Sequence, residues 1–320
     1  MRAAFSLEGK RVWVAGHRGM AGSAIVRRLA AERCEVLTVG REEVDLRRQE
    51  QVERWVKRHQ PQAVFLAAGT VGGIYANDTL PAEFIYDNLQ IEANVIHSAW
   101  QARVEKLLFL SSSCVYPREA PQPMSEAALL TGPLEPTNQW YAVAKIAGMK
   151  LCAAYRRQHG CDFISAMPTN LYGAGDNYDP QSSHVAAAMQ VKIHRAKERG
   201  ERRIGIWGSG KPKREFLYVD DLADALVFLM KGYSDEMHIN VGTGEDITIR
   251  ELAERVAAVA GWSGEFEYDA SKPDGTPRKV MDVSRLRALG WTAKTPLDTG
   301  LKAAYEWYVR NAAPNPMLQK

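Results

Sequence analysis

The stretch Arg11-Val-Trp-Val-Ala-Gly16-His-Arg-Gly19-Met-Ala-Gly22 decides the fold. Its first five residues read as a short apolar strand. Three glycines at G-x-x-G-x-x-G spacing follow, and an apolar helical pattern then runs over residues 23–31. At a strand-to-helix turn such glycines let the backbone approach a pyrophosphate, and the helix N-terminus adds partial positive charge. The spacing departs from the more usual G-x-G-x-x-G, so the turn needs support from the rest of the chain.

That support lies downstream. Residues 36–39, 63–67, 107–110 and 163–167 read as further apolar strands, separated by helical patterns over 50–58, 81–102 and 139–159. Strands alternating with helices predict an α/β fold, a doubly wound parallel sheet of the Rossmann type. Beyond Pro168 the pattern loosens, with turns at 173–177 and 208–210 and two αβ-like pieces at 215–231 and 238–260. The expected organisation is a cofactor-binding domain over 1–170, to which 215–262 returns. Residues 171–214 and 263–320 would form a smaller C-terminal substrate-binding lobe. Asp220-Asp221 ahead of Leu222 reads as a helix N-cap.

Bulk properties narrow the function. The 320 residues carry 41 basic and 38 acidic side chains for a net charge of +3, too balanced for a nucleic-acid partner. The basic runs at 47–59 and 192–203 are interspersed with apolar residues and read as solvated helix faces. No stretch reaches the ~20 apolar residues of a membrane span, and no signal-peptide core opens the chain. Cys34, Cys114, Cys152 and Cys161 have neither CxxC nor metal-ligand spacing. A reduced cytoplasmic setting and no metal are expected.

The chemistry starts at Tyr141-Ala-Val-Ala-Lys145, downstream of the serine run Ser111-Ser112-Ser113. Tyr and Lys four apart share one helix face. A free phenol with a pKa near ~10 is a poor acid at neutral pH, and a neighbouring ammonium favours its ionised form. A serine hydroxyl across the pocket then holds a carbonyl oxygen beside the phenol, an arrangement that polarises a ketone for hydride transfer. Alone, the Tyr/Lys spacing is better read as an amphipathic helix with a buried tyrosine and a solvated lysine. Arg41 ends the second strand and Arg18 sits in the glycine turn. Two guanidiniums there suit the 2′-phosphate of NADP(H), although Glu42 and Glu43 follow at once.

On these residues the chain resembles the extended short-chain dehydrogenases/reductases, and within them the 3,5-epimerase/4-reductases of GDP-4-keto-6-deoxy-D-mannose. Further segments carry the likeness: Val71-Gly-Gly-Ile74, Ser112-Ser-Cys-Val-Tyr-Pro117, Glu135-Pro-Thr-Asn138, Met167-Pro-Thr-Asn-Leu-Tyr-Gly173, Ser183-His184, Trp207-Gly-Ser-Gly210, Arg214-Glu-Phe216 and Ala270-Ser-Lys-Pro-Asp-Gly-Thr-Pro-Arg-Lys279. Thr70 and Trp140 depart from the pattern, where lysine and proline are common.

The resemblance implies a catalytic set of Ser112, Cys114, Tyr141, Lys145 and His184, with Cys114 and His184 exchanging protons at the sugar ring. It implies an NADP(H) cleft lined by Gly16, His17, Arg18, Gly19, Met20, Ala21, Gly22, Arg41, Asp45, Leu46, Leu110 and Ser111 to Ser113. The other wall would be Tyr141, Lys145, Pro168, Thr169, Asn170, Leu171 and His184. For the nucleotide sugar, Lys192 and Arg214 are candidates to neutralise the diphosphate. Trp207 offers a flat apolar surface, unless it packs in the lobe core, and Asp274 would bond sugar or base. A homodimer built on the helices near 81–102 and 139–159 is implied as well. Two other readings stay open: a related nucleotide-sugar epimerase, dehydratase or reductase, and a non-catalytic NADP-sensing protein, which would have little use for the Tyr/Lys pair.

Overall fold

The computed structural model describes residues 4–179, 182–271 and 274–313. The first half is built as strand–helix repeats. Strand β1 (Arg11–Ala15) leads through the glycine turn into α1 (Met20–Leu29), then β2 (Glu35–Leu37), α2 (Gln49–His59) and β3 (Ala63–Leu66). The short α3 (Ile74–Thr79) and long α4 (Pro81–Gln101) precede β4 (Lys106–Leu110), α5 (Gln139–His159) and β5 (Asp162–Pro168). Helix α1 begins three residues before the apolar pattern expected at 23–31, so Gly22 lies inside its first turn.

The main sheet has the order β2-β1-β3-β4-β5-β9, where β9 is Ile239–Val241, and all its pairings are parallel. Every residue of β3 and β4 is buried, as expected for strands covered by helices on both faces. Alternation along β1 shows how one strand serves two cores. Trp13 and Ala15 enter one with Trp55, Val95, Phe109 and Met149, while Val12 and Val14 enter the other with Ile25, Leu29, Leu226 and Met230. The strand order reverses beside β1, and a ligand crevice forms at the carboxyl ends of strands at such a point.

The remaining elements are β6 (Asn170–Tyr172), α6 (Val185–Glu198), β7 (Arg203–Trp207), β8 (Lys213–Tyr218), α7 (Val219–Gly232), β10 (Asp246–Thr248), α8 (Ile249–Ala260), β11 (Glu265–Asp269), β12 (Arg278–Lys279), α9 (Ser284–Ala288) and α10 (Leu297–Asn311). A second sheet joins β10-β8-β12 with β6 beside β8, and β7 pairs with β11. Their shared core holds Tyr172, Ile193, Phe216, Val256, Leu301 and Tyr308. The return to the first sheet is narrower than 215–262. Helix α7 packs in the core beside α1 and β9 joins β5, but β8, β10 and α8 belong to the lobe. Within the expected lobe segment, Met281, Val283, Leu286 and Trp291 pack into the first domain's cores instead. Residues 272, 273 and 314–320 of that segment lie outside the described residues.

Glu215 ties the two halves. Fully buried on β8, it accepts from the backbone N–H of Thr243 (2.6 Å), Gly244 (2.8 Å) and Met281 (2.7 Å). Asp220 and Asp221 do not cap α7, whose N-cap is Tyr218. Asp221 instead accepts from the N–H groups of Lys294 and Thr295, and Asp220 pairs with Arg27. Among the described residues, no helix is long and apolar enough to cross a membrane.

Candidate active site

The glycine turn is as tight as its sequence suggests. Gly16 has φ +91°, and an added Cβ would stand 2.6 Å from the backbone nitrogen of Ala68. A Cβ on Gly22 would stand 2.1 Å from the Gly16 carbonyl oxygen. The first glycine therefore permits the strand-end turn and the third lets α1 close onto it. In front of the turn opens a cleft of about 440 Å³. It runs from Gly16–Ala21 past Arg41, Asp45 and Leu46 to Leu110, Ser111–Ser113, Tyr141, Lys145, Pro168–Leu171 and His184. Every expected cofactor residue except Gly22, which has the packing role just described, lies on its wall.

Helix α5 places Tyr141 and Lys145 on the cleft face one turn apart. Lys145 Nζ lies 5.7 Å from the centre of the Tyr141 ring and donates to the Leu110 carbonyl at 3.3 Å. Burial pushes the Tyr141 phenol well above its ordinary pKa, reinforced by the Glu92 carboxylate and, once its thiol ionises, by Cys114. The expected net depression by Lys145 is thus not found. The ammonium faces the Glu92 carboxylate at 3.1 Å, which offsets its pull on the phenol. The site rests with a protonated phenol, the form that donates to a ketone oxygen.

Ser112 lies two residues past the end of β4, as N-cap of the short turn Ser113–Val115, and its Oγ accepts from the Cys114 N–H at 3.5 Å. Cys114 sits one short turn behind the cleft wall and is 7% exposed. Burial pushes its thiol pKa up, with Lys279 the foremost opposing influence. His184 stands as N-cap of α6 with its surface open to the cleft, and desolvation there lowers its pKa. The resting pair is therefore a thiol and a neutral imidazole.

The sequence falls within a known group. The model of the NAD dependent epimerase/dehydratase family matches residues 12–242. The chain belongs to this family. It is 58% identical over 311 residues to a GDP-L-fucose synthase of Sinorhizobium fredii, covering 97% of this chain and 99% of that one. A GDP-L-fucose synthase 1 of Arabidopsis thaliana is 55% identical over 310 residues, covering 97% and 96%. Among solved structures, a GDP-L-fucose synthetase from Naegleria fowleri bound to NADP superposes with a TM-score of 0.89 at 26% identity, covering 97% of this chain and 98% of that one.

Within this family frame, the four expected substrate residues lie off the cleft wall, in the lobe. Asp274 accepts from the Ser209 N–H (2.8 Å) and hydroxyl (2.6 Å), which brings it to the Trp207 loop. Trp207 is 77% exposed, so it does not pack in the lobe core. Arg214 donates to the Lys213 and Thr276 carbonyls, Lys192 donates to the Gly205 carbonyl, and burial lowers the pKa of both side chains. Strand β12 sets Lys279 beside Arg214. Of the two departures, Thr70 lies on the cleft wall. Thr70 exchanges backbone hydrogen bonds with the Asn88 amide and donates to Asp87, and Trp140 is exposed on α5.

Sequence reasoning missed Arg47, Asp87 and Ile91 on the cleft wall, and Glu92 and Lys279 behind it. Glu92 left a readable signal: a carboxylate inside the apolar helical run Ile91-Glu-Ala-Asn-Val-Ile96 demands a buried partner. Arg47 and Asp87 left none, because their contact joins residues 40 apart in sequence.

Proposed function

We propose that this protein converts GDP-4-keto-6-deoxy-D-mannose to GDP-L-fucose, inverting C3 and C5 and then reducing the C4 ketone with NADPH. One observation carries the reading. Ser112, Tyr141, Lys145 and His184 line the same cleft as the glycine turn, with Cys114 directly behind, in a chain 58% identical to a GDP-L-fucose synthase. Bound NADPH supplies the hydride that reaches C4. The tight Gly16 turn and the continuous cleft from it to Lys145 fit an extended dinucleotide, and Arg18 and Arg41 suit its 2′-phosphate.

The hydrogens on C3 and C5 flank the ketone, so loss of either leaves an enolate whose charge rests on O4. The Ser112 hydroxyl and Tyr141 phenol donate to that oxygen. At each centre one proton leaves and another returns on the opposite face, with Cys114 and His184 as the exchanging pair. A neutral imidazole is ready to accept and a thiol to give. Cys114 acts as base once its own proton has left, a state that Lys279 favours. In the reduction, Tyr141 gives its proton to O4, and the Lys145 ammonium stabilises the phenolate left behind. Both chemistries use one ketone, which is why one site serves them.

In this reading the lobe holds the nucleotide sugar through Lys192, Trp207, Arg214 and Asp274, while the first domain holds the cofactor. The protein works as a cytoplasmic homodimer through α4 and α5. Exposed Tyr86 and Val143 on those helices and four free cysteines support that setting.

The test is incubation with NADPH and the 4-keto sugar in heavy water. The unmutated protein is expected to form GDP-L-fucose with deuterium at C3 and C5. Cys114→Ala should lose most of that incorporation yet still reduce the unepimerised ketone. Tyr141→Phe should lose reduction first and keep some exchange, since Ser112 still bonds O4. Unchanged exchange and epimerisation in Cys114→Ala would remove the cysteine from the mechanism.

A further inference from the structure

The middle of α4 carries a carboxylate where its pattern calls for an apolar side chain. Ile91, Val95, Ile96 and Ala99 enter the first core, and Glu92 lies among them at 1% exposure. Its Oε1 stands 3.1 Å from Lys145 Nζ, whose side chain is 3% exposed. The contact is one of charge, since neither carboxylate oxygen takes a well-directed side-chain hydrogen bond. The carboxylate also lies against Gly148, where an added Cβ would meet Oε2 and the Phe109 ring, each at 2.6 Å. The Phe109 ring also packs on the ammonium, its centre 4.8 Å from Nζ.

Lys145 thus sits between a carboxylate behind it and the Tyr141 ring in front. A buried ammonium without a counter-charge is driven toward its neutral form, and a buried carboxylate likewise. Each holds the other charged. We propose that Glu92 is a positioning residue for the reduction: it is the counter-ion that keeps Lys145 as an ammonium beside Tyr141, and its charge sets the pH at which the Tyr141–Lys145 pair loses its first proton. The consequence for catalysis rests on the reduction through Tyr141 proposed above, whereas the charge coupling itself does not.

Burial pushes the Glu92 carboxyl up to about 6, while Lys145 Nζ at 3.1 Å favours its ionised form. Among the described residues, the titratable groups that feel its charge are Lys145, Tyr141 and Cys152 of α5. Cys114, in the turn after β4, acts on Tyr141 only when its thiol is ionised, a state that Lys279 of β12 favours. Removing a negative charge beside a pair makes its first proton easier to lose, whichever member gives it up. The sign of the expected shift is therefore fixed.

The experiment titrates the protein without substrate by NMR, with ¹³C at the tyrosine ζ and lysine ε carbons, alongside the pH profile of ketone reduction. Glu92→Gln should move the first deprotonation of the pair, and the alkaline limb of the rate, down by about one pH unit. Glu92→Asp, which keeps the charge, should restore both toward the unmutated values. Titrations of Glu92→Gln superimposable on the parent would overturn the proposal. Should Glu92→Gln not fold, Lys145→Met provides the reciprocal reading from the ¹³C-labelled carboxyl of Glu92. Loss of the ammonium should raise the Glu92 titration, and an unmoved titration would equally overturn the coupling. A normal coupling in a protein inactive on the 4-keto sugar would sink the proposed function alone.

Discussion

Arg18 in the glycine turn is already engaged. Its guanidinium donates to both carboxylate oxygens of Glu42, one contact at 2.8 Å, on an open surface. Arg41 stands 69% exposed with one looser contact, 3.9 Å to Asp45, whose own charge is held by Arg47, which brings its carboxyl down to about 2. Arg41 is thus the less committed of the two cations available to a 2′-phosphate. Replacing it with Ala should narrow the preference for NADPH over NADH by roughly ten-fold, the worth of one charge-assisted hydrogen bond. Glu42→Gln should act the opposite way by freeing Arg18. Dissociation constants for both cofactors check this, and equal affinities in the unmutated protein would end the argument. The two arginines and their acidic neighbours were legible from position alone. The pairing of Arg18 with Glu42 was not, because a turn and a strand end meet there only after folding.

Element by element, the sequence was most readable where one pattern served one purpose. Helix α5 runs over the expected 139–159, β3 lies inside the apolar run read at 63–67, and β4 covers 107–110 with Lys106 added at its start. Helix α1 was read late because its first turn holds Gly22, a poor helix former kept for contact rather than propensity. Asp220-Asp221 looked like a cap, but the backbone N–H groups it serves lie over seventy residues onward. Long-range partners of this kind leave no local period. Gly22→Ala makes the point measurable. On propensity alone alanine would stabilise α1 by about 1 kcal/mol. The added methyl would instead meet the Gly16 backbone, which has no flexible end to swing away. A net loss of about 1–3 kcal/mol is expected, with weaker cofactor binding. Urea unfolding reads it, and a more stable variant would show that α1 tolerates the shift.

Across the whole molecule, the chain crosses between its two halves several times, and buried polar groups fasten the crossings. Besides Glu215, a second buried polar cluster joins the segment after β4 to the entry of β9 within the first domain. The Tyr116 hydroxyl donates to Asn240 at 2.5 Å and meets His238 Nε2 at 2.9 Å, while Asn240 donates to the Met124 and Asp282 carbonyls. With the phenol proton given to Asn240, His238 donates through Nε2. Burial, with Arg285 and Lys150 nearby, lowers the His238 pKa to about 4. The unfolded chain, near ~6.5, therefore binds a proton that the fold refuses between those values. Stability is complete above about pH 6.5 and falls as pH drops toward 4, by about 3 kcal/mol from this group. Unlike the glycine turn, this dependence was invisible in sequence, where His238 is one histidine among seven. His238→Gln keeps an N–H donor for Tyr116 but cannot titrate. Urea unfolding of both proteins at pH 7 and pH 4 should show the parent losing about 3 kcal/mol more than the variant. Parallel losses would mean that other groups carry the acid sensitivity and that His238 is protonated in the fold without penalty.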